Sequence, residues 1–176
     1  MLVSDMARDS CGVAAVEFAL LLPILLLLYF GSVELTQGIM TQQRTDHAAA
    51  TVGDLVSQSS TLTAADVSDI FGVGATVMYP YPTASLKLRV SSLADDAEGV
   101  VTVVWSEGSG MAPLAKGSKV TGLAANVVLP GETVIMAESQ STYASAFGQL
   151  MPSPVVFKQK AYSHPRASSA VACSDC

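Results

Sequence analysis

Residues 12–33 form one long apolar stretch, GVAAVEFALLLPILLLLYFGSV, in which Glu17 is the only charged side chain. A helix of about 20 apolar residues crosses a bilayer core about 30 Å thick. Residues 13–33 supply 21 residues, so the stretch predicts a single membrane span. A carboxylate costs about 2.5–3.5 kcal/mol at the centre of a span and less near its end, and it marks function by default. Glu17 lies one turn inside the span, and simple anchoring does not explain it.

The spacing around Glu17 resembles the processing site of type IV prepilins. In that site a dedicated peptidase cuts after a glycine and leaves a glutamate at the fifth mature position, a pattern that Gly12 and Glu17 match. The form GVAAVEFALLLPILLLL, with Phe18 after the glutamate and Pro23 inside the run, is similar to the TadE-like minor pilins, or pseudopilins, of the tight-adherence (Tad, or Flp) pilus and secretion system. Three later stretches are also similar to that family: VTVVWSEG at 101–108, LPGETVIMAESQSTY at 129–143 and AYSHPR at 161–166.

This resemblance implies a minor pilin that is needed for assembly or initiation of a Tad-type (type IVc) pilus. Processing after Gly12 would make Val13 the new N-terminus, with its amine about 6 Å along the helix axis from Glu17. In such machines the glutamate, here followed by Phe18, pairs with the N-terminal amine of a neighbouring subunit. Pairing offsets the cost of two charges in hydrocarbon. The implied partners of this hetero-oligomer are other minor pilins, the major Flp-type pilin, the prepilin peptidase, the inner-membrane assembly platform and membrane lipid.

The predicted organisation is a prepilin-type leader over residues 1–12, a membrane part over 13–33 and a periplasmic α+β domain over 34–176. Arg8 and the chain amine favour a cytoplasmic N-terminus. The protein is therefore expected as a single-pass protein of the inner membrane, or incorporated in the pilus. Two other interpretations stay open. One is an uncleaved signal anchor that carries a periplasmic binding or adhesion module. The other is a cleaved secretory signal, which fits less well because no A-x-A site follows the run.

The composition argues against catalysis and nucleic-acid binding. The 176 residues carry a net charge of −6, whereas nucleic-acid binding needs basic patches. No nucleophile elbow, Walker sequence, dinucleotide loop or H-E-x-x-H motif occurs, and His47 and His164 have no evident partner acid and nucleophile. Asp95, Asp96 and Glu98 lack the D-x-D-x-D-G pattern of a calcium loop and predict a solvated turn, with calcium as the alternative. The sequence therefore predicts no enzyme, no cofactor and no metal site.

The three cysteines divide into one before the span and a pair at the end of the chain. Cys11 would leave with the leader, so the mature chain would keep Cys173 and Cys176 as a C-x-x-C pair. In an oxidising periplasm such a pair closes into a disulfide or stays as thiols. A redox or metal half-site is the alternative, although a zinc site needs two further ligands.

The apolar run is expected to continue as one long helix. A broken apolar stripe at helical spacing predicts a helix over 13–58, about 45 residues and about 69 Å long. Pro23 is expected to kink it or unwind it locally. Thr63 followed by Asp66 signals the start of a second helix over 64–71. We expect Val67, Ile70 and Phe71 on its buried face, and Gly72 and Gly74 to break or loosen it.

The second half of the chain predicts strands. Leu86, Leu88 and Val90 alternate with Lys87 and Arg89, as in a strand with one buried face. Strands are predicted over 86–90, 100–105, 133–143 and 155–162, the first two as a hairpin, followed by a tail without periodicity over 163–176. The predicted fold class is α+β, with the second half of a long N-terminal helix packed on a small, mostly antiparallel sheet, as in pilins.

Overall fold

The computed structural model describes residues 10–95, 99–123, 127–148 and 150–176. Helix α1 spans Ser10–Ser57 and helix α2 spans Ala64–Thr76. The strands are β1 Thr61–Leu62, β2 Lys87–Asp95, β3 Val101–Ser109, β4 Thr133–Tyr143, β5 Val155–Ser163 and β6 Ala172–Cys173. The predicted α+β class is confirmed, since a long N-terminal apolar helix packs on a small antiparallel sheet.

The chain divides into two compact units. The first, here called the helix–loop unit, consists of the described residues of Met1–Gly38 together with Ala144–Pro154. The second, here called the sheet unit, consists of Ile39–Tyr143 and Val155–Cys176. Helix α1 contributes its first part to the helix–loop unit and its second part to the sheet unit, so its two parts are described separately.

The sheet unit is built on four strands in the order β3-β2-β4-β5, with every neighbouring pair antiparallel. The predicted hairpin is confirmed as β2 and β3. Strand β3 continues past Trp105, where the predicted strand ended, because Glu107 and Gly108 still pair with Val90 and Arg89. The sequence signal failed there because a glycine weakens strand propensity, while backbone pairing needs no side chain.

The core of the sheet unit lies between the sheet and the second part of α1. Ala48, Val52 and Val56 recur every four residues and therefore line one face of α1. They form a single cluster of buried side chains with residues of the sheet and of α2, namely Val67, Phe71, Leu88, Val90, Trp105, Ile135 and Ala137. A buried hydroxyl adds to this contact, because Ser139 Oγ donates to the carbonyl oxygen of Thr45 at 2.6 Å.

Helix α2 begins as predicted. The Thr63 hydroxyl accepts from the Asp66 N–H at 3.2 Å, and an Asp66 carboxylate oxygen accepts from the Thr63 N–H at 2.8 Å, which forms a capping box. The side-chain and backbone hydrogen bonds from Thr63 stabilise the charged form and lower the pKa of Asp66 from 3.8. Val67 and Phe71 are buried as expected, and Ile70 is half-buried.

The predicted end of α2 was wrong, since the helix passes through both glycines to Thr76. A Cβ built on Gly74 would lie 2.6 Å from Val52 Cγ2, whereas one on Gly72 would meet nothing within 4 Å. Gly74 therefore permits the close approach of α2 to α1. At this position the close packing of the two helices outweighs the cost of a glycine inside a helix, which is about 1 kcal/mol relative to alanine.

The last segment, 163–176, was predicted as an irregular tail, and this was wrong in part. Strand β6 pairs in parallel with β1, and Val171 is buried in the core. The Trp105 Nε1–H donates to the carbonyl oxygen of Val171 at 2.7 Å. Strands of two residues show no alternation, so the sequence pattern does not predict them.

Candidate functional site

The first part of α1 exposes apolar side chains on all sides. Every large apolar side chain from Val13 to Tyr29 is exposed, with Leu20 at 70%. Soluble monomers rarely expose contiguous apolar patches larger than a few hundred Å². Among the described residues, α1 is the one helix that is long and apolar enough to cross a membrane. The helix is thus fit to serve as a membrane anchor.

The predicted processing and assembly residues all lie in the first turns of α1. Gly12, Val13, Glu17 and Phe18 are exposed. Val13 and Glu17 are four residues apart, so they lie on the same side of the helix. The helix continues without a break through Pro23. It does not unwind there, and a kink stays a prediction, as do cleavage after Gly12 and the pairing role of Glu17.

A second carboxylate on α1, Glu34, was not predicted as a functional residue. The side chain of Glu34 is 1% exposed. Its Oε1 accepts from the Ser145 hydroxyl at 2.6 Å, and its Oε2 accepts from the backbone N–H groups of Leu150 and Met151 at 2.7 and 3.3 Å. Buried carboxylates need such donors. Both oxygens of Glu34 therefore hold the Ala144–Pro154 segment, here called the docked loop, against α1 within the helix–loop unit.

The docked loop is also fixed by bonds of its own. The Ser145 hydroxyl oxygen accepts from the N–H groups of Phe147 and Gly148 at 3.2 and 3.1 Å. Gly148 has a φ of +65°, in the left-handed region that favours glycine. Ser145 therefore closes the turn, and Glu34 binds it to α1. Gln149 of this loop lies outside the described residues.

Apolar contacts accompany these hydrogen bonds. The rings of Phe30 and Phe147 have centroids 4.7 Å apart. A Cβ on Gly31 would lie 3.0 Å from Leu150 Cδ1, so the absence of a side chain there makes room for Leu150. The sequence signal for this site is a carboxylate just after an apolar run. Its partners are more than 100 residues away along the chain, so the sequence did not reveal them.

The C-x-x-C pair is a disulfide in the structure. Cys173 and Cys176 are bonded, with their Cα atoms 5.6 Å apart. Asp175 lies between them, and these three groups are close enough to hold a metal ion by distance alone. However, the two sulfur atoms are bonded to each other, and the Asp175 Oδ1 accepts from the Ala64 N–H, at the start of α2, at 2.7 Å. The geometry therefore favours a structural role, in which the disulfide-bonded segment 173–176 is hydrogen-bonded to the start of α2.

The other candidate residues that the structure describes, His47, His164 and Asp95, are not brought together. His47 is exposed on α1. His164 Nδ1 lies 4.0 Å from Glu132 Oε2 on an exposed surface. In the acidic cluster, Asp95 Oδ1 accepts from the Gly99 N–H at 3.1 Å, which is a turn-type contact, while Asp96 and Glu98 lie outside the described residues.

These observations define an α+β protein whose N-terminal helix combines an exposed apolar part with a part packed on an antiparallel sheet. Residues 12–54 match the model of the TadE-like protein family. The resemblance based on Gly12, Glu17 and the apolar run is therefore confirmed, and the match covers most of α1. It indicates a protein associated with Tad pilus systems. No curated protein and no solved structure matches the chain in the corresponding comparisons.

Proposed function

We propose that the chain is a minor pilin, or pseudopilin, that assembles or initiates a Tad-type pilus after a prepilin peptidase has cut behind Gly12. The observation that carries the proposal is that two properties occur in the same part of α1. The family match begins at Gly12 and runs along α1, and the same helix holds Glu17 in an apolar part that no other described element buries. The role is structural rather than catalytic.

The proposed mechanism uses the charges at the start of α1. Cleavage would create an ammonium group at Val13, one turn from Glu17 on the same side of the helix. Each charge is costly in hydrocarbon when isolated. Glu17 of one subunit would therefore attract the amine of a neighbour, and a pair formed between subunits fixes the axial offset between their helices.

The proposal places α1 across the inner membrane and the sheet unit in the periplasm. Other minor pilins, the major pilin and the assembly platform would contact the exposed apolar part of α1. A disulfide between Cys173 and Cys176 fits an oxidising compartment. This agreement supports a periplasmic sheet unit.

Glu17→Ala tests the assembly role in cells that carry the rest of the pilus machinery. We expect loss of surface pili by electron microscopy, while the variant still accumulates in the membrane by immunoblot, because one fewer charge does not hinder insertion. Glu132→Ala is the matched control, since Glu132 is an exposed carboxylate of the sheet unit. Normal pili with Glu17→Ala would instead support an uncleaved, signal-anchored binding or adhesion module.

A further inference from the structure

We propose that the docked loop is a second membrane contact, which inserts Phe147 and Leu150 into the interfacial layer of the bilayer that α1 crosses. This inference rests on the membrane anchoring of α1 in the proposed function. It adds an element that the apolar run does not include, because the loop lies more than 100 residues later in the chain.

Among the described residues of the loop, most exposed side chains are apolar and none is charged. Its sequence, ASAFGQLMPSP, contains no ionisable side chain. Phe147 is 50% exposed and Leu150 is 54% exposed. Phenylalanine and leucine are typical of segments that lie in the boundary between lipid headgroups and acyl chains. A loop at a water-facing surface has no need of two large apolar side chains so close together.

Four backbone N–H groups of the loop have acceptors within the helix–loop unit. Glu34 accepts from the N–H groups of Leu150 and Met151, and Ser145 Oγ accepts from those of Phe147 and Gly148. An unpaired N–H group costs free energy in an apolar medium. These bonds remove four such costs, so the loop can enter the interface without unfolding.

The loop also lies at the right level along α1. It contacts α1 at Phe30, Gly31 and Glu34, directly after the exposed apolar part. From Val13 to Phe30 the helix rises about 26 Å, close to the hydrocarbon thickness of about 30 Å. Phe30 and Tyr29 therefore fall where aromatic residues concentrate at membrane interfaces. Phe147, whose ring contacts that of Phe30, shares this level.

Lipid is favoured over a protein as the occupant because the loop surface continues the exposed apolar surface of α1 within one compact unit. It also offers no charged group to select a protein partner. A neighbouring pilin helix or a second copy of the chain is the competing occupant. The test therefore uses the purified chain alone, at several ratios of lipid to protein.

The experiment measures the depth of one introduced tryptophan at a time in the full chain, reconstituted in phosphatidylcholine and phosphatidylglycerol vesicles. Phe147→Trp and Leu150→Trp probe the loop, and Leu21→Trp probes the span. The unsubstituted chain gives the Trp105 background. We expect both loop tryptophans to emit at shorter wavelength than tryptophan in water. Lipids brominated near the headgroup should reduce their emission about twofold, and lipids brominated deep in the chain should reduce it less.

The outcomes separate the two proposals. If Leu21→Trp is quenched by deep bromines and neither loop tryptophan is quenched by any bromolipid, α1 is inserted and the loop inference is wrong. A blue-shifted loop tryptophan without bromolipid quenching, lost on dilution with lipid, means contact between copies and also overturns it. If Leu21→Trp is not quenched, the anchor itself fails. Adding Glu34→Gln to Phe147→Trp should reduce the shallow quenching, because the loop loses one of the two oxygens that hold it on α1.

Discussion

The two parts of α1 share one continuous helix and differ in almost everything else. From Val13 to Tyr29 the large side chains are apolar on every face and exposed. From Ile39 onward only one stripe is buried, including Ala48, Val52 and Val56, and most of the exposed side chains after Met40 are polar. A helix that is apolar all round is suited to lipid or to a deep core, and a striped helix is suited to the edge of a core. The pattern of apolar side chains around the helix axis, and not helix formation itself, therefore decides the environment of each part of α1.

The two carboxylates of α1 show the same contrast. Glu17 is exposed in the apolar part, whereas Glu34 is buried and holds three hydrogen bonds from the docked loop. A carboxylate whose bonds are satisfied within the chain has a structural role. We propose that Glu17, which lies in the segment with prepilin spacing, finds its partner in another subunit.

The largest effect on stability is expected from truncating a buried valine of α1, compared with truncating an exposed valine of the same helix. Val52→Ala should lower the free energy of unfolding of the sheet unit by about 2 kcal/mol, because Val52 is buried and its loss leaves a cavity. Val16→Ala is the matched control and should leave that value unchanged within about 0.5 kcal/mol. Urea unfolding of the detergent-solubilised chain, followed by Trp105 fluorescence, measures both. Equal effects would contradict the division of α1 into two environments.

The next effect concerns the contact between α1 and α2. Gly74→Ala should destabilise the sheet unit by about 1–2 kcal/mol, because the added methyl group meets Val52 Cγ2. Gly72→Ala has open space and should be neutral or stabilising by up to about 1 kcal/mol. The same unfolding assay compares the two. A neutral Gly74→Ala would mean that the helices do not pack as closely as described.

A smaller and local effect is expected at Glu34. Glu34→Gln removes the negative charge and replaces one of the two accepting oxygens by an NH2 group that only donates, so Ser145, Leu150 and Met151 are left with one neutral acceptor oxygen and the loop amides lose protection. Hydrogen exchange at these two amides should rise about tenfold, equivalent to about 1.4 kcal/mol. Glu17→Gln, the control on the other part of the helix, should change neither amide. Unchanged exchange in Glu34→Gln would show that the carboxylate does not hold the loop.

The smallest effect lies away from α1. Thr63→Ala removes the N-cap hydroxyl of α2 and should cost about 1 kcal/mol. The free energy of unfolding of the sheet unit, measured by the same urea assay, should fall. Hydrogen exchange at the amides of Leu150 and Met151 should not change. A change in both would mean that the two units are more strongly coupled than their separate packing implies.

The cap also predicts an acid dependence. The lowered pKa of Asp66 means that its contribution to stability is present above pH 3.8 and is lost as the pH falls through the folded-state pKa. Asp66→Asn should therefore be less stable than the parent at neutral pH, and the difference should shrink below that pH. Unfolding free energies of the two chains across this range provide the check. A difference that stays constant with pH would contradict the capping role.

The sequence predicted the elements whose signals are periodic. The β2–β3 hairpin and the cap at Thr63 follow from alternation and local capping chemistry, and both were confirmed, as was strand β4. It did not predict the passage of α2 through Gly74, because that depends on the approach of Val52 from another helix.

The candidate site was predicted only where its residues are close in sequence. Gly12, Glu17 and the apolar run form one local pattern, which the family match supports. Glu34 and the docked loop are distant in sequence and meet only in the fold. The loop has no alternation and no ionisable side chain, so its sequence indicated only a connection between two strands. Contacts of this kind become visible when packing brings the two segments together.

The most direct test of the proposed role is the N-terminus of the protein in membranes from cells with and without the prepilin peptidase, determined by intact mass and N-terminal sequencing. We predict a chain that begins at Val13 only when the peptidase is present. A chain that begins at Met1 in both strains would contradict processing after Gly12. It would leave an uncleaved anchor, and the proposed pairing of Glu17 with a new N-terminal amine would be wrong.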